Sequence, residues 1–473
     1  MTHTVEKIGG TSMSRVHDLR DTLFIGGRKG ADLYGRIFVV SAFGGITNLL
    51  LEHKKSGEPG VYAQFANSDT GPGWQEALDR VADAMIAAHE EVLDHPADIE
   101  RATDFVRGRV SDARNALIDL QRICAYGHFR LASHMLQVRE LLSGMGEAHS
   151  AFTTVLMLQR AGVNARLVDL SGWRDEGDVT LEERIETAMA RVDPASEMPI
   201  VTGYAQCAEG LMKEFDRGYS EVTFSKLAAL TGAREAIIHK EFHLSSADPN
   251  LVGQEAVRKL GRTNYDVADQ LSNMGMEAIH PKAAKTLRQA EVPLRVTNAF
   301  EPEDPGTLID DQPAESPAVE IVTGLDIIAL EVFEQDMVGV KGYDAAILDV
   351  LKRHDVRIVS KVSNANTITH YLDTSLKIMR RVEKDLNDLY PAAEVKSRTL
   401  ALASVIGRDL SGLSVLTRGL CAIADAGMET IGATQGPRNV DVQFVMERDI
   451  LKPAIKALHG AFIDGEARLK SVA

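Results

Sequence analysis

The chain has 473 residues, is 44% hydrophobic and 25% charged, and carries a formal net charge of −16. That length holds two or three domains, each with room for its own core. The acidic balance argues against nucleic acid or an anionic membrane as the main partner, and any anionic substrate needs local cations.

The first predicted strand, Val5–Ile8, runs into Lys7-Ile8-Gly9-Gly10-Thr11-Ser12. A lysine at a strand end, then two glycines and two hydroxyls, suits an anion. Glycines let backbone N–H groups approach a phosphate, and the lysine adds a mobile charge. The spacing is neither a P-loop nor a GxGxxG fingerprint. A second strand, Arg36–Ser41, leads into another glycine loop, Ser41-Ala42-Phe43-Gly44-Gly45-Ile46-Thr47-Asn48. From about Gly73 to Gly162 apolar residues such as Leu78, Val81, Met85 and Ala88 recur at helical spacing. That stretch exceeds a simple crossover and predicts a helical insertion near the site.

Strands Ala165–Leu170, Pro199–Gly203, Glu235–His239 and Leu294–Thr297 then alternate with helical patterns. The reading is α/β: a mostly parallel sheet with helices on both faces. A segment rich in proline and acid, 301–317, closes this pattern and marks a domain boundary. Beyond it a strand–helix–strand–strand–helix pattern occurs twice. The first copy runs from Asp326–Phe333 through Gly342–Arg353, Val356–Lys361 and Thr367–Leu372; the second runs from Leu400–Ile406 through Leu413–Ala426, Glu429–Ala433, Val440–Val445 and Ile450–Phe462.

Cys124, Cys207 and Cys421 are far apart and form no CxxC pair, and the fourteen histidines form no HxH pattern and a single HxxxH spacing, His239 with His243. This fits a reducing cytoplasm, with no metal site predicted. No signal peptide or bilayer-spanning run is visible, so a cytoplasmic protein without membrane partners is expected.

The two glycine loops together resemble the amino acid kinase family, and within it aspartate kinase. Further stretches match in order: Gly144-Met145-Gly146-Glu147-Ala148-His149-Ser150, Val201-Thr202-Gly203-Tyr204, Asp216-Arg217-Gly218-Tyr219-Ser220-Glu221, Ala278-Ile279-His280-Pro281, and Asn298 with Pro305-Gly306-Thr307-Leu308. The resemblance implies an amino acid kinase domain over 1–315, its helical insertion at about 73–162, and tandem ACT modules (βαββαβ, ferredoxin-like) over 316–395 and 396–473.

The implied reaction moves the γ-phosphoryl of ATP to the side-chain carboxylate of L-aspartate. That carboxylate is ionised at neutral pH, since its pKa is about 3.9, so no strong base is needed. Catalysis then rests on positioning and on neutralising the moving phosphoryl. By resemblance, Lys7 does the latter, with N–H groups around Gly9 and Gly10 and Mg2+ arriving with ATP. Arg217 grips substrate carboxylate in a planar fork. Glu147 takes the ammonium, and Ser41 and Thr47 fall at substrate-contacting hydroxyl positions. The bland alternatives are a solvated Lys7, a surface ion pair of Arg217 with Asp216 or Glu221, and helix N-terminal capping by Glu147 and Ser150. Thr11, Ser12, Ser220, Glu221, Lys240, Ser245 and Asn250 fall on the nucleotide side.

The chain departs from the family in places. Aspartate kinases usually read Arg-Gly-Gly-Ser-Asp where Arg217-Gly218-Tyr219-Ser220-Glu221 stands. Asn250 replaces an arginine, Glu277 replaces a lysine, and Lys240 offsets part of that loss. The run His239-Lys240-Glu241-Phe242-His243-Leu244-Ser245-Ser246-Ala247-Asp248-Pro249-Asn250 resembles specialised aspartokinases that accompany ectoine biosynthesis. Tandem ACT modules imply an amino-acid effector, with loops Gly339–Asp344 and Arg408–Gly412 at helix starts, and assembly into homodimers or higher oligomers. A competing reading is a catalytically silent scaffold that senses amino acids, motivated by Tyr219, Asn250 and Glu277. A third is another acid kinase, acting on glutamate, acetylglutamate or carbamate.

Overall fold

The computed structural model describes residues 3–54, 56–67, 73–175, 177–215, 218–276 and 278–464. The chain divides into one unit of Met1–His243 with Ile279–Asp310, and a second of Leu244–Ala278 with Asp311–Ala473. Arg217, Asp216 and Glu277 lie outside the described residues.

The first unit is built on β1 (Thr4–Ile8), β2 (Arg36–Val40), β3 (Ala165–Val168), β4 (Met198–Thr202), β5 (Glu235–Lys240), β7 (Leu294–Asn298) and β8 (Thr307–Asp310). The short β6 (Arg262–Asn264) belongs to the second unit. Across the first unit the strands run β3-β4-β2-β1-β5-β7-β8. β1 pairs in parallel with both β2 and β5, β2 with β4, β4 with β3, and β5 with β7, while β8 returns antiparallel to β7. Every residue of β1, β2 and β4 is buried. Such strands read as continuous apolar runs because both faces are covered.

Two charged residues interrupt β1, and alternation sends them to opposite faces. Glu6 receives Arg36 bidentately, at 2.7 and 2.8 Å, and His239 Nε2 at 2.8 Å. Burial alone raises the Glu6 carboxyl, but Arg36 and His239 outweigh it and hold the group well below the usual carboxylate range. Lys7 takes the other face.

Between β2 and β3 run helices Gly73–Glu90, Pro96–Cys124 and Met135–Arg160. Pro96 opens its helix with a ring that sacrifices no intrahelical bond, and His95 caps it by accepting the Ala97 N–H. The third helix crosses the core, and His149 on it meets His89 on the first, Nε2 to Nδ1 at 3.1 Å.

In the second unit, β9 (Ile321–Phe333), β10 (Arg357–Ser363), β11 (Thr367–Asp373), β12 (Glu394–Ile406), β13 (Gly432–Gln435) and β14 (Asp441–Met446) form an antiparallel sheet ordered β10-β11-β9-β12-β14-β13. This is the tandem ACT arrangement. Helices Tyr343–Arg353 and Leu376–Leu389 serve one half, Val415–Asp425 and Leu451–His459 the other. β9 and β12 pair over 13 residues each, from Glu394↔Phe333 to Ile406↔Ile321. Residues 395 and 396, the expected module junction, both lie within β12. The Leu244–Ala278 segment is tied to the same unit through Ser246 Oγ and His459 Nε2 (3.0 Å) and through Thr263 Oγ1, which donates to Glu320 at 2.6 Å. Ser246, His459 and Asp464 mimic a hydrolytic triad in composition only, since Ser246 and His459 are sealed from solvent and the Ser246 oxygen already accepts the Arg258 N–H.

Candidate active site

Parallel strands β1, β2, β4 and β5 all finish at one edge of the first sheet, where open α/β sheets receive ligands. Register places Lys7 beside Val39 on β2 and Ile238 on β5, one residue short of the ends of β1 and β2 and two short of the end of β5. Past β1 the chain turns through Gly9 into the short helix Gly10–Met13. The turn after β2 lies against it. A side-chain carbon on Gly10 would sit 3.0 Å from the Ala42 carbonyl oxygen, and the Gly44 N–H donates to Ser14 Oγ at 2.9 Å. The two glycine loops recognised in the sequence are therefore packed backbone to backbone.

Lys7 is buried and its ammonium donates to Glu221 Oε1 at 3.3 Å. Glu221 Oε2 accepts the His280 backbone N–H at 2.5 Å. Burial pushes the Glu221 carboxyl upward, yet Lys7, Lys240 and the His280 N–H together bring it below its ordinary value. Glu221 is thus a fixed anion that orients Lys7.

Glu147 sits mid-way along Met135–Arg160, far from either end, so it and Ser150 are not helix caps. Ser150 instead donates to the Ser41 carbonyl at 2.8 Å, locking the second glycine loop onto this helix. Glu147 is fully buried, and burial pushes its carboxyl up to about 8, with Tyr204, Lys7 and Tyr219 acting in the opposite direction. Among the described residues its Oε2 has no hydrogen-bond partner. That oxygen faces Gly203, where an added side-chain carbon would lie 3.0 Å from it and 2.7 Å from the Ser220 Cβ. Glycine is the residue that fits. A buried carboxylate with one bare oxygen is costly unless a cationic ligand completes it.

Of the other expected residues, Ser41 and Thr47 are half-buried on the second loop, and Thr11 is exposed. Ser12 is buried with its hydroxyl donating to Glu241 Oε1 at 2.6 Å. Ser220 is buried beside Gly203, and Lys240 ends β5 close enough to act on Glu221. Ser245 and Asn250 belong to the second unit: Ser245 donates to the Ala247 carbonyl, and exposed Asn250 bonds Asp248. Glu241, His280 and Tyr219 are the participants sequence reasoning did not assign. All three stood within quoted motifs, yet a backbone N–H from His280 leaves no signature in residue type.

A family model described as the amino acid kinase family matches residues 3–298. The aspartate kinase Ask_Ect of Stutzerimonas stutzeri (strain A1501) is 53% identical over 466 residues, covering 98% of each chain. This chain belongs to the aspartate kinases of the amino acid kinase family. The chloroplastic aspartokinase 1 of Arabidopsis thaliana is 23% identical, over 97% of this chain and 80% of that one. Among solved structures, E. coli aspartokinase III with lysine and aspartate (T-state) superposes with a TM-score of 0.72 at 19% identity, over 98% and 99% of the two chains. The same enzyme with aspartate and ADP (R-state) gives 0.70 at 19% identity, over 97% and 99%. At that identity the likeness carries the fold, and it does so along the whole chain. Among the described residues no helix is long and apolar enough to cross a membrane.

Proposed function

We propose that this aspartate kinase transfers the γ-phosphoryl group of ATP to the side-chain carboxylate of L-aspartate, giving 4-phospho-L-aspartate. The observation that carries the reading is the pairing of Lys7, buried and oriented by Glu221, with the bare buried oxygen of Glu147 on one sheet edge. One group neutralises a phosphoryl in flight, and the other awaits an ammonium. The 53% identity to an aspartate kinase along 98% of the chain supports the same substrate.

In this reading Lys7 and the N–H groups about Gly9 and Gly10 stabilise charge on the transferring group, which is where preorganised donors lower a barrier most. Ser41, Thr47 and Arg217 hold the acceptor amino acid, and Glu147 takes its ammonium. Thr11, Ser12, Ser220, Glu221 and Lys240 attend the nucleotide. The nucleotide enters as its magnesium complex. Magnesium would arrive with the nucleotide phosphates, with no protein ligand assigned to it; Glu221 is engaged by Lys7 and the His280 N–H, and Glu241 by Ser12. The cation supplies further charge neutralisation at the moving phosphoryl.

The reading extends to an amino-acid effector on the ACT modules, to a homo-oligomer, and to a cytoplasmic setting in which Cys124, Cys207 and Cys421 stay as thiols. The His239–Asn250 stretch supports a place on the route to ectoine rather than to lysine, threonine or methionine. The test is purified protein with Mg2+, ATP and L-aspartate, trapping acyl phosphate with hydroxylamine, with GTP, L-glutamate and no acceptor in parallel. Hydroxamate only with aspartate is expected. Folded protein giving none with any pair would overturn the assignment in favour of a sensing scaffold.

A further inference from the structure

The helix Met135–Arg160 meets the Gly203–Tyr204 segment at three places along one face. Positions 140, 144 and 147 follow the i, i+4, i+7 spacing that brings side chains into one stripe. At the first, the Glu140 carboxylate accepts the Tyr204 hydroxyl through Oε2, and through Oε1 it accepts the Met212 backbone N–H at 2.8 Å. At the second, Gly144 admits the Tyr204 ring, since an added side-chain carbon would lie 2.9 Å from it. At the third, Gly203 passes Glu147 Oε2, the oxygen with no hydrogen-bond partner among the described residues. Tyr204 itself is 1% exposed.

We propose that Glu140 is a positioning residue for the amino-acid substrate: by fastening the Tyr204 hydroxyl it holds the Gly203–Tyr204 backbone against Glu147 and keeps Oε2 framed for the incoming ammonium. The inference rests on the role given to Glu147 above. The backbone of the segment is tied independently, because the Gly203 N–H donates to the Val40 carbonyl at 3.0 Å and Thr202 Oγ1 donates to the Tyr204 carbonyl at 2.9 Å. What remains free to swing is the Tyr204 side chain, and it has room. Tyr204 and Glu140 border a cavity of about 690 Å³ that Trp173, Cys207 and Lys213 also line. A hydroxyl bonded to a carboxylate is held more strongly than one bonded to a neutral acceptor, so Glu140 is suited to keep the ring on the helix. A ring released into the cavity would pull on the backbone beside Glu147. Glu221, by contrast, is fixed by Lys7 and the His280 N–H, so the phosphoryl end of the site does not depend on this anchor.

The alternative is that Glu140 only stabilises the fold. Three variants separate the two. Tyr204→Phe keeps the ring and removes the hydroxyl, and Glu140→Ala removes the acceptor. Glu140→Gln keeps the shape and can still bond both Tyr204 and Met212. We expect Tyr204→Phe and Glu140→Ala each to raise the KM for L-aspartate about tenfold, the scale of one lost hydrogen bond. The KM for ATP should be unchanged and kcat should stay within about twofold, the pattern of lost substrate binding. Glu140→Gln should restore the aspartate KM to within about threefold of wild type. Tyr204→Phe should add little in a Glu140→Ala background, because both break the same bond, and this comparison holds even where a single variant melts at a lower temperature. An aspartate KM unchanged in both variants, KM values for ATP and aspartate that rise together, or additive effects in the double variant overturn the proposal. Wild-type protein with no aspartate-dependent turnover would instead remove the functional reading on which it rests.

Discussion

Lys7 and Glu147 occupy the same edge of one sheet, yet their surroundings treat their charges in opposite ways. Lys7 has a fixed partner in Glu221, 3.3 Å away. Among the described residues Glu147 has no cation in contact, and its burial lifts the carboxyl to about 8. Without substrate most of the Glu147 population is neutral at pH 7, and only the ionised fraction can receive an ammonium. Apparent affinity scales with that fraction, so the KM for aspartate should fall about tenfold between pH 6.5 and 8. Glu147→Gln should raise KM and flatten that profile; a profile of unchanged steepness in the variant would show that another group titrates. For Lys7 the argument concerns stability as well as rate. Lys7→Ala should cut kcat by about two to three orders of magnitude, the scale for losing a preorganised electrostatic donor. It also strands Glu221, and breaking a buried pair is costly because the remaining charge is uncompensated. Lys7→Ala with Glu221→Gln should thus recover much of the lost melting temperature and none of the activity. Recovery of activity would take Lys7 out of the mechanism.

Among the secondary-structure elements, the helices flanking the site carry an acid-sensitive joint. His89 and His149 are fully buried and hydrogen-bonded to each other, and His89 also reaches Thr103 at 3.0 Å. Burial lowers His89 to about 4 and, with the neighbouring His89 adding to it, lowers His149 to about 3. In the unfolded chain both titrate near 6.5. Above that value the pair is neutral in both states and its contribution is complete. As pH falls from 6.5 toward 4 the unfolded chain takes up protons the folded one refuses, and stability declines by about 1.4 kcal/mol per pH unit for each proton of difference. Urea midpoints at pH 7.5 and 5 should converge in a His89→Gln/His149→Gln variant, and an undiminished gap would place the acid lability elsewhere. The elements themselves were largely legible in the sequence. β1, β2 and β4 are buried along their whole length, so their apolar runs stand out, and the loops that end them announce themselves through glycine. What stayed hidden were contacts made across sequence distance. Ser150 and the Ser41 carbonyl are joined only by the fold, and the His280 contribution is a backbone N–H. The capping alternative for Glu147 and Ser150 fails because Gly144 and Gly146 before them lie inside the helix Met135–Arg160. Those glycines instead admit neighbours: side-chain carbons there would come within 2.9 Å of Tyr204 and of Ala42.

At the scale of the whole molecule, the tandem modules share strands rather than merely adjoining. The stretch Glu394–Thr399 of β12 pairs with Ile328–Phe333 of β9, and Leu400–Ile406 continues onto Ile321–Ile327. Each long strand gives its two halves to two different cores. Ile328, Leu330 and Val332 pack with Ile347, Leu351 and Leu386, whereas Val322 at the head of the same strand packs with Val405, Phe444 and Leu458. A repeat count along the sequence separates the copies cleanly, but the backbone hydrogen bonds do not, because pairing in a sheet is invisible to periodicity. This interlock has a thermodynamic consequence. Phe444 is fully buried in the second core, and truncating such a residue to alanine costs about 3–5 kcal/mol. If the modules were independent, Phe444→Ala would loosen only β13, β14 and the helices over them. Because β9 and β12 run through both, opening the second core frees the strands on which the first is assembled, and cooperative units follow such shared backbone. Hydrogen exchange followed by mass spectrometry should therefore show faster exchange in β11 and in the helix Tyr343–Arg353 as well, although neither contains the substituted residue. Protection unchanged there, with loss confined to the second module, would mean that the long strands are hinges and that the two cores unfold separately.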